Sequence, residues 1–121
     1  MSNYDEASVL EVLDKVSRSV VNVSTVKLLH HVFYRAVPVK GMGSGTIIDP
    51  KGQILTNNHV VVGAEKIGVT LADGHVLEGR VLGTCSTHDM AIIKIKEEKL
   101  PAAELGDSDK LRVGQRVFAI G

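Results

Sequence analysis

The sequence holds one cysteine, no tryptophan and only four aromatic residues, two Tyr and two Phe, among 121. A single thiol, Cys85, excludes an intramolecular disulfide and the secreted mini-domains that depend on several bridges. So few aromatics leave base stacking poorly supplied and call for an aliphatic core. Charge of either sign is not in excess: 14 Lys and Arg face 14 Asp and Glu, for a formal net charge of zero. Binding to nucleic acid or to an anionic membrane draws on surplus positive charge, so neither is expected as a partner. No apolar run nears the roughly 20 residues of a membrane span. The opening Met1-Ser2-Asn3-Tyr4-Asp5-Glu6 is acidic and polar, the reverse of a secretory signal. As written the chain reads as cytoplasmic; an extracytoplasmic place would mean a trimmed chain.

What is present reads as a globular domain. Hydrophobic residues make up 44% and charged residues 23%, which is ordinary usage for one packed domain and excludes disorder as the main state. Over residues 5–18, Val9, Leu10, Val12, Leu13 and Val16 follow helical spacing and predict an amphipathic helix. Ser8 and Glu11 match a capping box, and Asp5 is an equal candidate for the cap. The simplest use of the apolar stripe is to cover the bottom of a barrel. Val20–Val26 alternates like a half-buried strand.

From residue 41 onward, short strands alternate with turn chemistry. Gly43–Ile48 runs into Asp49-Pro50-Lys51-Gly52, with Pro and Gly placed for a type I turn. Gln53–Asn57 follows and stops at Asn58-His59. Lys66–Leu71 and Val76–Leu82 flank an Asp73-Gly74 hairpin signal. Met90–Ile95 and Arg116–Ile120 supply two more strands. Lys27–Lys40 is the least regular stretch, a variable loop or a hairpin excursion. Six or seven antiparallel strands with regular turns predict a small all-β barrel or sandwich preceded by one short helix.

Two residues stand out for chemistry. His59 sits where an apolar strand gives way to polar residues, and Asp89 opens a largely apolar strand 30 positions later. A carboxylate on the imidazole Nδ1–H would fix the tautomer that a general base needs. Strand-end His and Asp are also common in turns, and spacing alone leaves both readings open.

Four segments in order resolve the choice. Gly41-Met42-Gly43-Ser44-Gly45-Thr46-Ile47-Ile48, Leu55-Thr56-Asn57-Asn58-His59-Val60-Val61, Asp89-Met90-Ala91-Ile92-Ile93-Lys94-Ile95 and the stretch from Gly106 to Gly121 together resemble the opening half of an HtrA/Deg-type serine protease. The resemblance implies the first barrel of a trypsin-like double barrel over 20–121, preceded by a helical segment at 1–19. It also implies His59 as general base and Asp89 as its orienting carboxylate. The family's nucleophile lies in a Gly-Asn-Ser-Gly-Gly segment of the second barrel, and no such segment occurs here. Ser44 is a decoy: Met42 stands where a Gly-x-Ser-x-Gly elbow needs glycine.

The chain alone is therefore expected to be inactive. The complete protein is expected to be a serine endopeptidase acting on unfolded polypeptide, with a second barrel downstream and no cofactor. A non-catalytic binding or assembly module built on a protease half is the alternative. Either version leaves an apolar face uncovered and predicts a homo-oligomer.

The other candidates take structural readings. Gly41-x-Gly43-x-Gly45 lacks the following helix that a dinucleotide loop requires. His30, His31, His75 and His88 match no zinc spacing and are assigned to loops and turns, with no metal expected. Asp107-Ser108-Asp109 is assigned to a turn and cap. Cys85 is assigned as a small, semi-buried residue.

Overall fold

The computed structural model describes residues 5–31 and 34–121, with the side chains of 29–31 and 34–36 left aside. Helix α1 spans Glu6–Ser17. Six strands follow: β1 (Val20–His31), β2 (Tyr34–Asp49), β3 (Gln53–Thr56), β4 (Ala64–Thr70), β5 (Val76–Cys85) and β6 (Met90–Ile95). A one-turn helix, α2 (Asn58–Val61), interrupts the run between β3 and β4. The strands close an antiparallel barrel in the order β1-β2-β3-β6-β5-β4, so the all-β barrel expected from the turn spacing is what forms.

Strand alternation explains the closure. In β3 and β6 every second residue is buried, and Ile54 and Ile93, both wholly buried, face each other as register partners. Val21, Val23, Ile47, Ile67, Val69, Ala91 and Ile95 complete the barrel interior, an aliphatic core as the scarcity of aromatics demands. Space inside is tight enough that β2 needs a glycine at position 45. A Cβ there would lie 2.8 Å from Ile54 Cγ2 and 3.2 Å from Val21 and Val23 methyls. The β2–β3 turn uses the other glycine property: Gly52 closes onto the Asp49 carbonyl at 3.0 Å with φ +106°.

Two expectations need correction. The first concerns α1, which does not cover the barrel bottom. Asp5 caps it by accepting from the Ser8 N–H at 2.7 Å, which settles the cap in favour of Asp5. None of its residues is buried, and Leu10 and Val12 are more than half exposed. The barrel bottom is occupied instead by the segment after β6. There the Leu100 N–H donates to the Pro50 carbonyl at 3.1 Å, the Ala103 N–H donates to the Ile47 carbonyl at 2.8 Å, and the Leu100 side chain joins the core. The half-buried face of α1, with Val9 and Leu13, lies instead across a groove from residues 112–118.

The second correction is at Arg116–Ile120, which forms no strand. Six strands already close on one another, so no open edge remains within the barrel for a seventh, and Val117 and Phe118 stay exposed. Lys27–Lys40, open between a loop and a hairpin excursion, is mostly paired. β1 and β2 continue as a hairpin to Leu29↔Val37 and His31↔Tyr34, the excursion rather than the loop. Its tip at residues 32–33 lies outside the described residues.

One buried polar atom tests the packing. Thr25 is 2% exposed, and its hydroxyl finds no hydrogen-bond partner among the described residues. An orphaned buried hydroxyl costs about 1–3 kcal/mol. Thr25→Val, which keeps the branched shape, is expected to raise unfolding stability by about 1 kcal/mol in denaturant titration. A loss of stability would mean that the hydroxyl is satisfied.

Candidate active site

Register brings the two singled-out residues together. β3 and β6 are antiparallel, with Thr56 opposite Ala91. The residues just after β3 and just before β6 therefore leave the sheet at the same end of the barrel. α2 carries His59 there, and the β5–β6 turn carries Asp89.

Each residue is set by its own element. Val61 is 3% exposed and anchors α2 in the core. Two positions apart on a helix is about 200° of rotation, so His59 points away from the interior when Val61 points in. The Lys27 ammonium donates to the His59 carbonyl at 3.3 Å. Asp89 closes the turn after β5, its N–H donating to the Ser86 carbonyl at 3.3 Å, with φ +51°. That left-handed conformation is tolerated better by Asp and Asn than by most side chains.

The Asp89 carboxylate holds His59 at two points. One oxygen accepts the His59 backbone N–H at 2.8 Å, and the other lies 2.6 Å from the imidazole Nδ1. A carboxylate on Nδ1 selects the Nδ1–H tautomer and leaves the Nε2 lone pair free to accept a proton. Both side chains remain open to solvent, His59 at 71% and Asp89 at 45%. A cleft of about 380 Å³ runs beside them, lined by Ser44, Thr56, Asn57, Met90 and Ile120 among others. That cleft reaches their chain neighbours Asn57 and Met90 but is lined by neither His59 nor Asp89, and the concavities at the barrel bottom and beside α1 lie away from both.

The backbone N–H of His59, and next its imidazole, hold the Asp89 carboxyl below the usual carboxylate range. A carboxyl whose folded pKa is depressed adds stability above its unfolded value, near 3.9, and loses it as pH falls through the folded value. Acid titration of the fold should therefore show a loss of stability below about pH 4, and Asp89→Asn should remove part of that dependence. An unchanged acid limb in the variant would contradict the depressed pKa. Asp5 and Asp73 are lowered too, so the loss is shared among the three groups.

The remaining candidates stay apart from this pair. Ser44 is exposed on β2, its carbonyl accepting from the Thr56 hydroxyl at 2.8 Å. Its side chain makes no hydrogen bond to His59 among the described residues. His75 pairs with Asp73 at 2.9 Å in the β4–β5 turn, at the opposite pole of the barrel from His59. Asp107 caps the one-turn 3-10 helix Ser108–Lys110 by accepting the Asp109 N–H at 3.1 Å. The side chains of His30 and His31 lie outside the described residues. Cys85 is exposed rather than semi-buried, its Sγ 3.4 Å from His88 Nδ1, on a part of β5, Val81 to Cys85, in which every residue is exposed. Sequence reasoning missed α2 and the part played by Asn57. The Asn57-Asn58 pair, good helix-capping chemistry just before His59, was the available signal.

A closed six-stranded barrel with a carboxylate-held imidazole at one end defines a class, and comparison with known proteins agrees with it. The trypsin-like peptidase domain matches residues 43–121, well over half of the chain, and the chain belongs to that family. Within it, the similarity is to HtrA-type serine proteases. The chain is 50% identical over 82 residues to a Pseudomonas savastanoi pv. phaseolicola protein named "probable periplasmic serine endoprotease DegP-like", covering 68% of this chain and 17% of that one. A Halomonas elongata protein of the same name is 46% identical over the same share of each chain. The HtrA-type protease AlgW solved with a tripeptide superposes with a TM-score of 0.76 at 33% identity, over 87% of this chain and 32% of that one. AlgW with a decapeptide gives 0.73 at 29%, over 87% and 38%. The match thus spans about one sixth to one fifth of the length of the curated relatives.

Proposed function

We propose that this chain supplies the proton-handling half of an HtrA-type serine endopeptidase, with residues 20–121 as its first barrel. The observation that carries the reading is the two-point hold of Asp89 on His59, one oxygen on the backbone N–H and one on Nδ1. In this reading His59 Nε2 takes the proton from a serine hydroxyl as the serine oxygen bonds to a peptide carbonyl carbon. The Nδ1–H stays on the Asp89 carboxylate, which stabilises the imidazolium that forms. His59 then gives the proton from Nε2 to the leaving amine, and the C–N bond breaks. Water repeats the sequence on the acyl-serine.

The serine comes from outside these 121 residues. Ser2, Ser8, Ser17, Ser19, Ser24, Ser44, Ser86 and Ser108 all lack the Gly-Asn-Ser-Gly-Gly setting. A second barrel would bring that serine, the oxyanion-binding amides and the pocket for the substrate side chain, and it would cover the exposed imidazole. Extended, unfolded polypeptide is the proposed substrate, in keeping with the peptides seen on the HtrA-type relatives. Uncovered apolar side chains such as Met42, Leu111 and Val117 support self-association of the isolated chain.

Incubating the isolated chain with fluorescently labelled unfolded casein tests the division of labour. No release above buffer is expected. Cleavage that survives Ser44→Ala and repurification would place a nucleophile within the chain and overturn the reading.

A further inference from the structure

We infer that Asn57 is a positioning residue for the His59–Asp89 pair, an inference that rests on the protease reading for its catalytic consequence. Asn57 occupies the N-cap position of α2 with the extended backbone of a cap, φ −93° and ψ 144°, yet its side chain makes no capping hydrogen bond. An Asn at that position ordinarily turns its side-chain oxygen onto a backbone N–H of the first helical turn. Here the amide nitrogen Nδ2 reaches across instead and donates to the backbone carbonyl of Asp89 at 3.1 Å. The capping task has passed to Asp89, whose Oδ1 accepts the N–H of His59 in the first turn of α2.

The exchange is reciprocal. Asn57 fixes the Asp89 main chain, and Asp89 fixes the start of the helix that bears His59. The fixed main chain is a costly one, since Asp89 is held at φ +51°. A donor on its carbonyl stops the peptide from rotating, and rotation would swing the carboxylate away from Nδ1. The chemistry required of position 57 is thus an N–H donor, not merely a helix cap.

Asn57→Asp separates the two. Asp suits the N-cap backbone as well as Asn does, so the exchange leaves the start of α2 intact. The carboxylate has no N–H to give and would stand near the Asp89 carbonyl as a second acceptor. The test is imidazole ¹⁵N NMR of the 121-residue chain above pH 8, read with thermal unfolding of the same samples. The parent is expected to hold His59 as the Nδ1–H tautomer. Asn57→Asp and Asn57→Ala are expected to move it toward the Nε2–H form with the melting temperature of Asn57→Asp unchanged. In the serine-bearing protein the same variants should lower kcat on the order of 10²-fold, the scale of a small misplacement, with KM little altered.

A parent-like tautomer in Asn57→Asp overturns the inference. So does a tautomer change accompanied by a clear drop in melting temperature, since Asn57 would then act on the fold. The protease reading fails separately, if Asp89→Asn leaves peptide hydrolysis intact while the tautomer still responds to position 57.

Discussion

Asp89→Asn in the serine-bearing protein is expected to lower kcat about 10⁴-fold, by analogy with triad enzymes, with little change in KM. Asn is tolerated at φ +51° much as Asp is, so the turn and the fold should survive the exchange. What changes is the electrostatics of the pair. The neutral amide no longer stabilises an imidazolium, and its NH₂ group can face Nδ1 and select the wrong tautomer. His59→Ala removes the base altogether and should cost on the order of 10⁶-fold. Steady-state hydrolysis of a quenched fluorescent peptide checks both. Activity within tenfold of the parent in either variant would remove the role given to that residue.

The second large effect is on the fold. Ile93→Ala is expected to destabilise the chain by about 2–5 kcal/mol, as for other large-to-small changes in a packed core. Ile93 is wholly buried, pairs with Ile54 across β3 and β6, and also faces Val81 on β5. The walls on both sides are strands of one closed barrel, which limits how far they can collapse into the space left behind. Because β3 and β6 also set the ends that carry His59 and Asp89, the variant should weaken that pair along with the barrel. Urea titration with a far-ultraviolet signal measures the loss. A change under 1 kcal/mol would mean that the interior is far more plastic than its packing implies.

How much of this could be read in the sequence depends on the range of the interactions involved. The bounds of Met90–Ile95 are legible because alternation and flanking turn residues are local signals, and the same holds for the turns at Asp49–Gly52 and at Asp73-Gly74. The long hairpin of β1 and β2 was harder. Lys27–Lys40 carries no clear alternation; at its described ends Leu28 and residues 37–40 are all exposed, so no buried face imposes one there. Arg116–Ile120 shows the converse, β-like composition without a partner strand, since the barrel closes without it.

For the site, residue type and family resemblance picked out His59 and Asp89, and the distance between them came only with the register of β3 against β6. The left-handed backbone of Asp89 and the diversion of the Asn57 side chain left no trace in spacing. Both are products of contacts about 30 residues apart.

The most direct test of the central claim is covalent labelling of the serine-bearing protein with a fluorophosphonate, followed by peptide mapping in the mass spectrometer. The account predicts one labelled serine, in a Gly-Asn-Ser-Gly-Gly segment beyond residue 121, with the label lost in His59→Ala. A label on Ser44, or labelling that persists without His59, would contradict it.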